Sequence, residues 1–172
     1  MRRYAALLIG RLKLVDTVTG VGRRAAQDVI AEIRVDMSRF PSHKHLCSWA
    51  RICPGNNESA DKRKSGRTGK GNKWLKSILV ESAHAAGGSK GTYLSAQYAR
   101  LARRKGKKRA AVAAGHSILE ALYFILWDKV PYHDLGPDHF DQINRAHTIR
   151  YHIRRLEGLG LQVQIQQPAA AA

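Results

Sequence analysis

Between residues 18 and 26 the chain reads Val18-Thr19-Gly20-Val21-Gly22-Arg23-Arg24-Ala25-Ala26, and this stretch decides the fold. Upstream, from Arg2 to Val15, Leu7, Leu8, Leu12 and Val15 fall on one side of a helix. Downstream, from about Arg23 to Arg34, Ala26, Val29, Ile30 and Ile33 recur at helical spacing. Two helices joined by apolar-x-Gly-apolar-Gly predict a helix-hairpin-helix over about residues 17–34. The glycines permit a sharp turn and leave backbone N–H groups free at the start of the second helix. Those amides and the helix dipole favour a phosphate oxygen, and Arg23 and Arg24 add charge. An ordinary helical hairpin, with glycines for packing alone, is the competing reading.

The other elements follow from caps and periodicity. Ser42 is placed to cap a helix through about Arg51, with Leu46, Trp49 and Ala50 on its buried side. Asn72 caps a helix from Lys73 to about Ala86 whose stripe is Trp74, Leu75, Ile78, Leu79, Ser82 and Ala83. Lys70, Lys73 and Lys76 face away from that stripe, and Gly87-Gly88 ends the helix. Thr92 caps a helix from Tyr93 to about Lys105, with Leu94, Tyr98 and Leu101 aligned. A helix from about Lys107 to Val130 is the hydrophobic spine, carrying Val112, Ile118, Leu119, Leu122, Ile125 and Leu126. Pro131 to Pro137 is a turn-rich linker, and Asp138 opens a helix from His139 to about Leu156 that Gly158-Leu159-Gly160 closes. Leu161 to Gln166 alternates with period two, as a short strand or an extended arm does. The expected fold is all-α, with a helix-hairpin-helix, a long basic loop, a spine helix and that short C-terminal strand. Residues 1–16 are read as the end of a connecting helix, 17–130 as the main domain, and 131–172 as linker, helix and tail.

The 172 residues carry 30 Lys or Arg against 13 Asp or Glu, a net charge of +17. That is the footprint of a polyanion binder. The excess is concentrated: from Lys62 to Ser117 there are fifteen cations and one acid, Glu81. From Arg100 to Arg109 seven residues in ten are basic, which suits contact with a phosphate backbone. Two cysteines, Cys47 and Cys53, argue against a disulfide-built secreted fold. His43, His45, Cys47 and Cys53 lie close together at spacings that match no usual structural zinc site, so no metal site is expected. Met1-Arg2-Arg3 precedes only a short apolar run, so no signal peptide is expected. Ala110 to Trp127 is apolar enough to raise a membrane span, but His116, Glu120 and the many alanines favour a buried core helix. The expected setting is the cytoplasm, with no membrane partner.

One long loop interrupts the helices, from Pro54 to Asn72. It has no hydrophobic period, opens with Pro-Gly-Asn-Asn and holds five cations: Lys62, Arg63, Lys64, Arg67 and Lys70. Gly66 to Gly71 lacks the Gly-Lys-Ser/Thr ending of a nucleotide-binding loop. Ser59 and Ser65 sit where a phosphodiester is attracted. A serine hydroxyl needs activation to become a nucleophile, and residue types alone leave both as ordinary loop serines. Glu58 and Asp61 flank Ser59, but no acidic cluster is available to hold two metal ions.

A longer pattern distinguishes these serines. Thr19-Gly20-Val21-Gly22-Arg23-Arg24, Asp36-Met37-Ser38-Arg39-Phe40-Pro41, Leu46-Cys47-Ser48-Trp49-Ala50 and Cys53-Pro54-Gly55-Asn56-Asn57-Glu58-Ser59-Ala60 follow one another. Lys62 to Thr68 and Lys70-Gly71-Asn72-Lys73-Trp74-Leu75 come next, then Lys90-Gly91-Thr92-Tyr93-Leu94, His116-Ser117-Ile118-Leu119 and Pro131-Tyr132. From about Leu14 to Leu156 the chain resembles the C-terminal, serine-bearing domain of bacterial insertion-sequence transposases that carry a RuvC-like acidic domain, the bridge-RNA-guided recombinases. The resemblance implies that Ser59 is the catalytic nucleophile, attacking a DNA phosphodiester to form a phosphoserine link before strand exchange. It casts Lys62, Arg63, Lys64 and Arg67 as phosphate-holding neighbours. With Gly20, Gly22, Arg23 and Arg24 of the hairpin, and Lys70, Lys73, Arg103, Arg104, Lys107, Lys108 and Arg109 from the charge pattern, they are the expected nucleic-acid-binding residues. The resemblance implies no cofactor in this chain, with Mg²⁺ held by acidic residues of a domain preceding Met1, so that this chain is a fragment. The implied partners are DNA, a structured non-coding RNA and further copies of the chain, as a dimer or tetramer on DNA. Ala60, where many relatives have glycine, and the acid Asp61 depart from the family pattern. The alternative function is a non-catalytic helix-hairpin-helix module that holds nucleic acid.

Overall fold

The computed structural model describes residues 2–53, 58–59, 62–63 and 68–165, with side chains over 6–53 and 68–165. Among them are eight α-helices: α1 (Arg2–Val15), α2 (Arg23–Ile33), α3 (His43–Trp49), α4 (Lys73–Gly88), α5 (Tyr93–Lys105), α6 (Lys107–Asp128), α7 (His139–Ile143) and α8 (Arg145–Glu157). A two-residue ladder, β1 (Glu58–Ser59) with β2 (Lys62–Arg63), lies between α3 and α4. The fold is all-helical apart from this ladder. The chain divides into two compact units, Met1–Pro137 and Asp138–Ala172.

In the first unit α6 is the spine. Ala110, Ala111, Ala114, Ile118, Leu119 and Leu122 are fully buried, and small residues on its first half let neighbouring helices approach. A Cβ on Gly115 would stand 3.1 Å from the Leu79 carbonyl oxygen, so α6 meets α4 almost backbone to backbone. Among the described residues α6 alone is long and apolar enough to cross a membrane, and its apolar surface is largely used within this core.

Helix directions follow from named contacts. Tyr98 meets His84 at 3.1 Å, and the Ser95 hydroxyl donates to the Gly87 carbonyl at 3.4 Å, so α5 runs antiparallel to α4. Gln97 Nε2 donates to Ser117 Oγ at 2.9 Å, so α6 runs antiparallel to α5. Helices α4 and α6 therefore start at the same end of the layer. Helix α2 runs against α4: Gly20, just before α2, packs on Ser82 and Ala86, whereas Glu32 near its end accepts a hydrogen bond from Asn72 Nδ2.

The caps at Asn72 and Thr92 form as expected. Asn72 Oδ1 accepts from Trp74 N at 3.0 Å and Leu75 N at 3.1 Å, and Thr92 Oγ1 accepts from Ser95 N at 3.2 Å. Asn72→Ala removes the cap and the Glu32 bond together. The expected cost is about 1–2 kcal/mol, read as a fall of several degrees in the thermal midpoint; an unchanged midpoint contradicts the assignment.

Several expectations are corrected. Ser42 precedes α3, but its hydroxyl meets His45 Nδ1 at 2.8 Å rather than a backbone N–H. Leu46 and Ala50 are buried, with Cys47 completing the face; Trp49 is 46% exposed and packs on Phe40 instead. The buried stripe of α4 is narrower than predicted, comprising Leu75, Leu79, Ser82, Ala83 and Ala86. Trp74, rotated about 100° from Leu75 around the helix, is 65% exposed. Helix α4 runs two residues beyond Ala86 and ends at Gly88, with Ser89 as its C-cap. The helix expected from His139 to Leu156 is broken at Asn144, whose φ of −116° and ψ of 32° leave the helical region. Asparagine is a weak helix former in mid-helix. Residues 161–165 form no strand: no described segment pairs with them.

Candidate nucleic-acid interface

Because α4 and α6 start at the same end, the chain gathers its cations there. The last turn of α5 carries Arg103, Arg104 and Lys105, and α6 opens with Lys107, Lys108 and Arg109. Between them Gly106, at φ 83°, serves both as C-cap and N-cap. All six cations are exposed, and none has an acidic partner among the described residues. Lys70 and Lys73 stand exposed beside the start of α4. Lys76 does not face solvent as expected. It is half-buried and donates to Thr68 Oγ1 at 3.2 Å and to the Gly69 carbonyl at 2.8 Å, tying the end of the long loop to α4.

The helix starts are electrostatically inverted. A helix N-terminus favours acids, yet seven of the eight helices, all but α7, have no acid in the first turn. Helix α6 starts with three cations and no side-chain cap. Helix α2 starts with Arg23 and Arg24 behind an uncapped Gly22. These positions lack the negative charge that a helix start favours.

The predicted residues separate into two groups. Lys70, Lys73, Arg103, Arg104, Lys107, Lys108 and Arg109 share one end of the α4–α5–α6 layer. Gly20, Gly22, Arg23 and Arg24 lie at the other end of α4, about 20 Å away along its axis at ~1.5 Å per residue. Gly20 has φ 86° and packs directly on α4, whereas the space above Gly22 is open. For Ser59 the described geometry is the ladder: Glu58 pairs with Arg63 and Ser59 with Lys62 as Cα partners. Lys64, Ser65 and Arg67 lie outside the described residues.

Residues 12–100 match the family model Transposase IS116/IS110/IS902 family. The chain belongs to this transposase family. No curated protein matches it. Membership carries a role in transposition and an interaction with DNA. The matched span holds the turn at Gly20–Gly22, the Ser59–Lys62 ladder and all of α4. The densest basic turn of this transposase-family chain, Arg103 to Arg109, lies just beyond it.

Among the described residues no three His, Cys, Asp or Glu are placed to hold a metal ion. His43 pairs with Glu120 at 3.0 Å. Cys47 is buried, and burial pushes its thiol up to about 12.

Sequence reading missed two features of this transposase-family chain. Trp74 was assigned to the core; its neighbours Lys73 and Lys76 signalled a solvated helix start. In the second unit, taken by itself, His147, Arg150, Tyr151 and Arg154 line a shallow cavity of about 200 Å³ on one face of α8. Their i, i+3, i+4, i+7 spacing was visible once a helix was expected there.

Proposed function

We propose that this chain is the serine-bearing part of a DNA recombinase in which Ser59 is the nucleophile. The observation that carries the reading is the family match, because it spans the segment in which Ser59 faces Lys62 across the ladder. Ser59 Oγ gives up its hydroxyl proton and attacks the phosphorus of a DNA phosphodiester; the phosphorus–oxygen bond to the adjoining deoxyribose breaks, and the leaving oxygen takes up a proton, so none is gained or lost overall. Lys62, Arg63, Lys64 and Arg67 offset charge on the transferring phosphoryl group, as fixed cations do in phosphoryl transfer. The basic turn of α5 and α6 holds the DNA backbone. The helix-hairpin-helix from about 17 to 34 makes a second backbone contact. A Mg²⁺-binding acidic domain, a structured RNA and further copies of the chain complete the assembly, which works in the cytoplasm.

The test supplies an acidic RuvC-like domain in trans with Mg²⁺, DNA and RNA. The expected product is a protein–DNA adduct that survives denaturation, present with the native chain and absent with Ser59→Ala. Ser59→Ala should bind DNA with unchanged affinity. No adduct under any condition, with binding intact, favours a non-catalytic helix-hairpin-helix module.

A further inference from the structure

We propose that Trp74 is a stacking platform for an unpaired nucleobase. Trp74 is 65% exposed, the most exposed of the tryptophans and the other aromatic residues among the described large hydrophobic side chains. The other two tryptophans are explained by their neighbours: Trp49 packs on Phe40, and Trp127 stacks on Tyr123 at 5.8 Å. Trp74 has no aromatic neighbour among the described residues. Its ring is faced instead by the Lys73 ammonium, 5.0 Å from the ring centroid.

The position is held firmly although the ring is exposed. Asn72 caps α4 through the N–H groups of Trp74 and Leu75, and Leu75, next in sequence, is fully buried. The indole is therefore anchored at its backbone and offered to solvent. Lys73 lies over it and the exposed Lys70 shortly precedes α4, at the end that also carries Arg103 to Arg109. An exposed aromatic ring among cations is how proteins hold single strands: the cations follow the backbone while a base stacks on the ring. A paired base within a duplex offers no free face to such a ring. The inference rests on reading this end as the nucleic-acid interface and goes further by naming the ligand as an unpaired base, from DNA or from RNA.

The test uses the whole chain with Trp49→Phe and Trp127→Phe, so that Trp74 is the one fluorescent tryptophan. The probes are oligothymidylate, oligouridylate of the same length, and a DNA duplex. Expected are strong quenching by a single strand and little by the duplex. In the chain with native Trp49 and Trp127, Trp74→Ala should lower single-strand affinity about 5- to 100-fold, while Trp74→Phe retains most of it and Trp74→Leu does not. Quenching by one oligonucleotide alone assigns the base to DNA or RNA. Equal quenching by the duplex, or full affinity in Trp74→Leu, overturns the proposal. If the chain binds single strands with steep salt dependence but Trp74→Ala binds as well as the native chain, the stacking inference alone fails. If no probe binds, the interface reading fails with it.

Discussion

Replacing Gly20 by alanine is expected to destabilise the first unit by about 2–5 kcal/mol, the largest effect among the described glycines, because close backbone contact and a positive φ coincide there. Gly20 sits at φ 86°, where an L side chain is strained. A Cβ there would also stand 2.4 Å from the Ser82 carbonyl oxygen and 2.6 Å from Ala86 N, both backbone atoms of α4. Neither can step aside without moving the helix, so α2 must shift away from α4. Gly22→Ala is the control: its φ is −79°, and nothing lies within 4 Å of the added methyl group. Urea unfolding should show a large loss for Gly20→Ala and a change of a few tenths of a kcal/mol, about the size of an ordinary surface substitution, for Gly22→Ala. Equal effects contradict the assigned packing. The same pair tests the turn's function. Lower DNA affinity in a stable Gly22→Ala chain supports backbone approach to phosphate, whereas unchanged affinity makes the glycines packing residues.

The largest binding effect is expected from Arg103→Gln, Arg104→Gln, Lys107→Gln and Lys108→Gln combined. These exposed cations have no acidic partners among the described residues, so replacing them breaks no described ion pair. Each phosphate contact contributes about 0.9 to the slope of log affinity against log salt for duplex DNA, so losing four lowers the slope by up to about 3.6. Affinity near physiological salt should fall on the order of a hundredfold. Folding stability should change little, because losing Lys107 and Lys108 relieves the start of α6 while losing Arg103 and Arg104 removes favourable charge from the last turn of α5. Anisotropy over a salt series and thermal unfolding read the two effects separately. An unchanged slope removes the basic turn from the interface.

These two sites differ in how much of them the sequence disclosed. The helices were legible because their ends carry chemistry: Asn72 and Thr92 accept backbone N–H bonds where expected. The charge of the α5–α6 turn was legible as composition. Its alliance with Lys70 and Lys73 was not, because that depends on α5 running back antiparallel to α4 and returning the chain to the start of α4. The distance from Arg23 and Arg24 to that cluster depends on Gly20 resting against α4, a contact between residues more than sixty positions apart. Trp49 and Trp74 were misplaced for a common reason: hydrophobicity placed both indoles inside, whereas helix rotation placed them outside. Asn144 broke a helix whose periodicity ran straight through it. Ser59 was distinguished from Ser65 by family resemblance alone, and the ladder adds its pairing with Lys62.

The most direct measurement of the central claim is the identity of the residue that carries DNA. The assembled recombinase is trapped on DNA, the adduct is digested by nuclease and protease, and the remaining peptide is sequenced by mass spectrometry. The expected peptide carries a phosphate or nucleotide remnant on Ser59, and none on Ser65. A remnant on Ser65, or on any residue outside the Ser59–Lys62 ladder, contradicts the account.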